Sequence, residues 1–201
     1  MTRWTWALAA ALVAVTLPAI STSAAAPPKY YFQLQPVKAG PEVDAALKSY
    51  TGEALKAELA SRPEWASDIG PAGQAAPEGD RTALVGELKK RSLRGFDVTA
   101  RIEELKQEVK DPKPGARNKQ LSVEVQLTVF GTTIPDAKLA FSGDGQSGSE
   151  AEVSEKRLAV DTVDTTHDVL KDAIKQAVDQ AVLKLSIGKA GPMNERHRHK
   201  K

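Results

Sequence analysis

Between Lys119 and Gly131 the chain reads KQLSVEVQLTVFG. Leu121, Val123, Val125, Leu127 and Val129 stand at every second position, with Ser122, Glu124, Gln126 and Thr128 between them. Successive side chains on a strand point to opposite faces, so this run builds one apolar face and one wet face. A strand of that kind belongs to a sheet covered on one side only, usually an antiparallel sheet with helices against its apolar face.

The neighbouring segments extend this picture. Lys29 to Lys38 reads as a first strand, and Pro36 argues for an edge or an early end. Glu42 to Ser61 carries Val43, Ala46, Leu47, Tyr50, Ala54, Leu55 and Leu59 at helical spacing, between Pro41 and Arg62-Pro63. Glu64 to Gly79 is a connector rich in Gly, Pro and Ala, in which Trp65 is either pinned to the core or exposed as a partner-binding residue. Arg81 to Arg91 forms a short helix started by Asp80. A second strand follows with Phe96, Val98, Ala100 and Ile102 on one face, and the parity slips past Glu103-Glu104 as it would at a bulge. The Pro/Gly loop from Asp111 to Gly115 joins it to the Lys119 strand as a long hairpin.

Lys138 to Ser142 offers a shorter strand, and Ser142 to Ser149 reads as a flexible turn. The last helix starts at Thr165, with Asp168 completing a capping box. Its apolar stripe runs from Val169 to Leu185, and Ala173, Ala177 and Ala181 let it lie close on a sheet before Gly188 ends it. The fold expected is α+β, a two-layer sandwich of a mainly antiparallel sheet of three to five strands with two or three helices on one face.

The N-terminus combines Arg3, an apolar run from Trp4 to Ile20 and small residues from Ser21 to Ala26, the three parts of a secretory signal peptide. Residues 1–25 are read as that leader, 26–188 as one domain and 189–201 as a disordered basic tail. An uncleaved anchor is the alternative for the leader, and no stable membrane insertion is expected after cleavage. The protein is therefore expected in the periplasm or secreted. There is no cysteine, so disulfides, thiol chemistry and thiolate metal sites are out. The formal charge is +2, of which the tail supplies +4 and Arg3 +1, so the body is mildly acidic. A nucleic-acid-binding module would show a basic face instead.

Four groups of residues invite chemistry. Gly143 to Gly148 matches G-x-G-x-x-G, but no helix with an apolar period opens after it, as a phosphate loop requires. Asp161, Asp164, His167 and Asp168 gather one histidine with three carboxylates, a set usable for metal or for general acid-base work. The competing reading gives the acids to the helix start and leaves His167 in solvent. Glu103 and Glu104 point to opposite faces unless the bulge re-aims one. In the tail, His197 and His199 among basic residues could bind a metal or a polyanion. No cofactor is expected.

The stretch LRGFDVTARIEELKQEVKDP, the Lys119 strand and THDVLKDAIKQAVDQAVLKL together resemble the small periplasmic α/β domain of bacterial envelope proteins. That domain occurs in the TolB N-terminal domain, the curli-secretion lipoprotein CsgG and the penicillin-binding-protein activator LpoB. The resemblance covers Arg81 to Leu185 and is one of element order. It implies a non-enzymatic envelope domain with a protein partner, and it transfers no functional residue.

Three functions are thus weighed. One is an exported, non-catalytic accessory module of the cell envelope acting through protein contacts. Another is a small secreted hydrolase or metal-dependent enzyme using Asp164, His167 and Asp168. The third is a metal or polyanion binder working through the tail.

Overall fold

A computed structural model describes residues 28–66, 68–74, 80–113 and 118–187. The leader and the basic tail lie outside the described residues. The elements are strands β1 (Tyr30–Leu34) and β2 (Lys38–Ala39), helix α1 (Ala45–Ala60), strand β3 (Trp65–Ala66), a 3₁₀ turn (Pro71–Gln74), helix α2 (Thr82–Lys90), strands β4 (Arg94–Lys110), β5 (Asn118–Thr133) and β6 (Leu139–Ser154), and helix α3 (Leu158–Ile187). They form one six-stranded sheet in the order β3-β1-β4-β5-β6, with β2 beside β4.

β5 is the strand that the alternation demands. Leu121, Val123, Val125 and Val129 are fully buried and Leu127 nearly so, each removed from water at a gain of roughly 1.5–3 kcal/mol. β4 and β6 flank it antiparallel along almost its whole length. The expected bulge is present, since the β4–β5 register shifts between Ile102 and Glu104. It keeps Leu105 on the apolar side opposite Val125 and places Glu104 opposite Gln126 on the wet side.

The sheet departs from the expected layout at its other end. β1 runs parallel to both β3 and β4, and β2 runs parallel to β4, so the sheet is mixed and has six strands, more than the three to five expected, although its two long ladders are antiparallel. Tyr30, Tyr31 and Phe32 are all buried, which requires cover on both faces of β1. Tyr30 and Phe32 join the main core under α1 and α3. Tyr31 packs with Ile69, Leu84 and Leu88 on the opposite face, under α2 and the 3₁₀ turn. Helices therefore lie on both faces at the parallel end, and on one face only over β4–β6. The α+β class stands, whereas the two-layer arrangement with helices on one face is corrected by α2.

The helix ends have local causes. The Asp44 carboxylate accepts the Leu47 amide at 2.7 Å and starts α1. Asp80 accepts from both the amide (2.9 Å) and the hydroxyl (2.6 Å) of Thr82 at the entry to α2. At the exit, Ser92 takes the left-handed conformation (φ 57°). The Leu93 amide then reaches the Leu88 carbonyl at 2.9 Å and the Ser92 amide the Lys89 carbonyl at 3.1 Å, a Schellman closure.

Two expectations for the C-terminal half are corrected. The Ser142–Ser149 segment is no turn, because β6 runs unbroken through it. α3 starts at Leu158 instead of Thr165 and is 30 residues long. Gly143 and Gly145 face the helix, and a Cβ on either would overlap the carbonyl oxygen of Ala177 or Ala173, respectively. A segment that looks like a flexible loop is thus the floor on which the alanine column of α3 rests.

Candidate functional site

The four α3 residues with chemical potential now sit within a helix. Asp161 pairs with Arg157 one turn back at 3.0 Å. Thr162 and Thr166 donate their hydroxyls to the carbonyls of Leu158 and Thr162, both at 2.7 Å, so they serve the helix interior instead of capping it. Thr166 is buried and also receives the Gln107 amide at 2.8 Å from β4.

His167 does not stand in solvent. Its ring stacks on Tyr50 of α1 with centroids 3.6 Å apart and 9° between planes. The Tyr50 hydroxyl donates to the His167 carbonyl at 3.4 Å. Lys171 lies 6.0 Å from the Tyr50 ring centroid, and hydrogen bonding to Tyr50 holds its ammonium above the usual lysine range. Asp164 and Asp168 are exposed, and Asp168 has Lys171 3.8 Å away. Among the described residues no three His, Asp or Glu side chains converge as a metal would need. The histidine is a joint between two helices that run side by side. Farther along the same pair, Arg62 bridges Glu58 at 2.5 Å and Asp179 at 2.6 Å.

Of the two readings of Trp65 the pinned one holds, and the partner-binding one is corrected: only 6% of the residue is exposed. It packs against Tyr30, Phe32, Phe96 and Phe141 with centroid separations of 5.3, 5.8, 6.0 and 5.9 Å. Its indole Nε1 is buried without a hydrogen-bond partner. Gly143 to Gly148 lies within β6 and opens no helix, so it makes no phosphate loop. At the bulge, Glu103 lies beside Arg101, which stands opposite Thr128 and over the Phe130 ring, and so faces the wet side with Glu104. Each has its own cation, Arg101 at 3.8 Å and Lys106 at 2.8 Å. His197 and His199 lie outside the described residues.

A polar cluster on the α2 face went unread in the sequence. Arg81 grips Asp97 of β4 through its two terminal guanidinium nitrogens, Nη1 and Nη2, at 2.5 and 3.0 Å. Asp97 also accepts the Gln35 amide at 2.8 Å, and both members of the ion pair are about 15% exposed. Nearby, the Tyr31 hydroxyl donates to the Gly73 carbonyl at 3.1 Å. Burial, then the charges of Asp68 and Asp97, push the Tyr31 phenol up from its ordinary range. The cluster fixes α2 to the parallel end of the sheet. Its one sequence signal is Asp97, a charge set among the buried positions Phe96, Val98, Thr99 and Ala100.

The largest feature left is the wet face of β4–β5–β6, which no described element covers. Its rows include Glu104, Lys106 and Glu108 on β4, Ser122, Glu124 and Gln126 on β5, and Asp144, Gln146 and Glu150 on β6. Near one end a depression of about 550 Å³ is lined by Pro112, Lys113, Gln120, Glu150, Ala151 and Glu152. No described helix is long and apolar enough to cross a membrane.

No protein-family model matches the sequence, and no curated protein matches it. Similar solved structures include a Xanthomonas campestris protein of the DUF330 family, with 7% identity, 81% of this chain and 88% of that one covered, and a TM-score of 0.48. A minor lipoprotein from Acinetobacter baumannii shows 10% identity, coverage of 81% and 93%, and a TM-score of 0.34. A PelC dodecamer from Paraburkholderia phytofirmans shows 13% identity, coverage of 77% and 93%, and a TM-score of 0.35.

Proposed function

We propose that this chain is an exported, non-catalytic accessory module of the bacterial cell envelope that acts through protein–protein contacts. The observation that carries the reading is the uncovered face of β4–β5–β6, built from strands of 16 or 17 residues. A polar face of that length offers many hydrogen-bonding groups, which suits a protein surface better than a small substrate. The leader-like N-terminus supports export. The likeness of element order to the TolB N-terminal domain, CsgG and LpoB belongs to the same proposal.

Site-specific photocrosslinking on the natively exported protein tests it. A crosslinker at Gln126 or Gln146 on the wet face should capture one recurrent envelope protein, and one at Asp172, which lies on the α1 side of α3, should not. A hydrolytic activity abolished by His167→Ala without loss of stability, with no wet-face capture, would overturn the proposal. The expected result for His167→Ala is a loss of about 1 kcal/mol of stability, the worth of the Tyr50 stack.

A further inference from the structure

β4 is covered along one side by β5 from Phe96 to Lys110. On its other side β1 stops at Val98 and β2 stops at Ile102. After Ala39 the chain turns away, the Val43 amide closing back on the Gly40 carbonyl at 3.3 Å. Among the described residues nothing pairs with the outer edge of β4 from Glu103 to Lys110.

The direction of its backbone groups follows from the ladder. The Val98 carbonyl points away from β5, accepting the Gln35 amide at 2.9 Å. Its opposite on β5 is Gly131, so the odd-numbered residues of β5 turn their polar groups away from β4. Past the bulge those odd residues, Val125, Val123 and Leu121, stand opposite Leu105, Gln107 and Val109. Leu105, Gln107 and Val109 therefore present their N–H and C=O groups to the open edge, ready for another strand.

The side chains along this edge alternate in charge on the wet face as Glu104, Lys106, Glu108, Lys110. We propose that a second copy of this chain pairs with it, β4 against β4, antiparallel about a two-fold axis at Gln107. In that register Glu104 faces the second copy's Lys110 and Lys106 faces its Glu108, with the symmetric pairs repeated. Slipping by two residues either way sets Glu against Glu and Lys against Lys, so the charges select one register. The same register joins Leu105 to the second copy's Val109 on the apolar face. Val109 is 47% exposed in the single chain.

Two further exposed valines point the same way. Val163 and Val160 precede His167 by four and seven positions, in one column of α3. Gln107 touches Thr166, one position before His167, so this part of α3 lies near the end of β4. Val160 and Val163 are 57% and 52% exposed, an apolar flank that a second copy would cover. The other long edge, β6, does not suit self-pairing. Its Asp144 amide is taken by the Gln180 side chain at 3.3 Å, and its wet-face charges Asp144, Glu150 and Glu152 all repel a second copy. The inference stands apart from the envelope reading, since it needs no other protein.

Sedimentation equilibrium of the mature chain tests it. The native chain should form a dimer, and Lys106→Glu with Lys110→Glu should weaken dimerisation by about 100-fold or more through facing like charges. Exchanging all four charges (Glu104→Lys, Lys106→Glu, Glu108→Lys, Lys110→Glu) should restore a dimer that does not mix with the native chain. Because the chain has no cysteine, Gln107→Cys introduces the only thiol. Cα atoms about 5.5 Å apart in a hydrogen-bonded pair allow a disulfide, so Gln107→Cys should crosslink to itself and Gln146→Cys on β6 should not. A native chain that stays monomeric, a double variant that dimerises like the native chain, or crosslinking at position 146 in place of 107 would each overturn the proposal.

Discussion

The space a side chain would need at Gly143 is filled by the carbonyl oxygen of Ala177. The same relation holds between Gly145 and Ala173, one helical turn away. Backbone thus rests on backbone, and neither β6 nor α3 has a flexible side chain to move aside. Gly143→Ala or Gly145→Ala should cost about 2–3 kcal/mol by overpacking. That corresponds to a melting temperature lower by about 5–10 °C for a domain of this size. Gly148→Ala is the control, because its Cβ would meet only the Glu124 side chain and the Val123 carbonyl at 3.4 and 3.5 Å. It should stay within about 0.5 kcal/mol in the same thermal scan.

The Arg81–Asp97 pair is mostly shielded and doubly bonded, so it should couple measurably. Removing one partner leaves the other charge short of its bonds in a poorly hydrated place. Each of Arg81→Ala and Asp97→Ala should cost about 1–3 kcal/mol, and the double variant less than the two together. A coupling energy near zero in urea denaturation would show the pair to be a surface ornament.

Much of the core was legible because its signals are local. The alternation of Leu121 to Val129, the bulge at Glu103 and the alanine column of α3 need only strand and helix periodicity to be read. What escaped depends on partners distant in the chain. Trp65 and Ala66 form a strand only because Tyr30 and Tyr31 pair with them, and that short parallel contact carries too few residues to show a pattern. SGDGQSGS has turn chemistry by composition, yet the close approach of α3 demands those glycines within a strand. Thr165 and Asp168 carry a capping signature, but Leu158 packs against the core and Asp161 pairs with Arg157, so the helix is already formed before them. The Arg81–Asp97 contact spans α2 and β4 and has no spacing rule at all.

Ser92 closes α2 in a left-handed conformation that a side chain disfavours. Both Schellman bonds depend on that conformation, so the backbone must stay there whatever the residue. Ser92→Gly should therefore stabilise the protein by about 0.5–1 kcal/mol, seen as a higher urea midpoint with an unchanged slope. Ser92→Val should do the opposite, since a β-branched side chain fits that region worst.

Tyr31 gives the stability a dependence on alkaline pH. Burial first, and the charges of Asp68 and Asp97 after it, favour the neutral phenol, so its folded pKa lies above that of the unfolded chain. A group raised in this way contributes stability that is fully present below the unfolded value, about 10 for tyrosine, and is lost as pH rises through the folded value. Tyr31→Phe cannot ionise. At neutral pH it should be less stable by about 1 kcal/mol, having lost the bond to the Gly73 carbonyl. As pH rises past about 10 the native protein should lose stability faster than the variant, so the gap between their urea midpoints should narrow. A gap that stays constant through that range would mean the Tyr31 phenol ionises as easily in the fold as outside it.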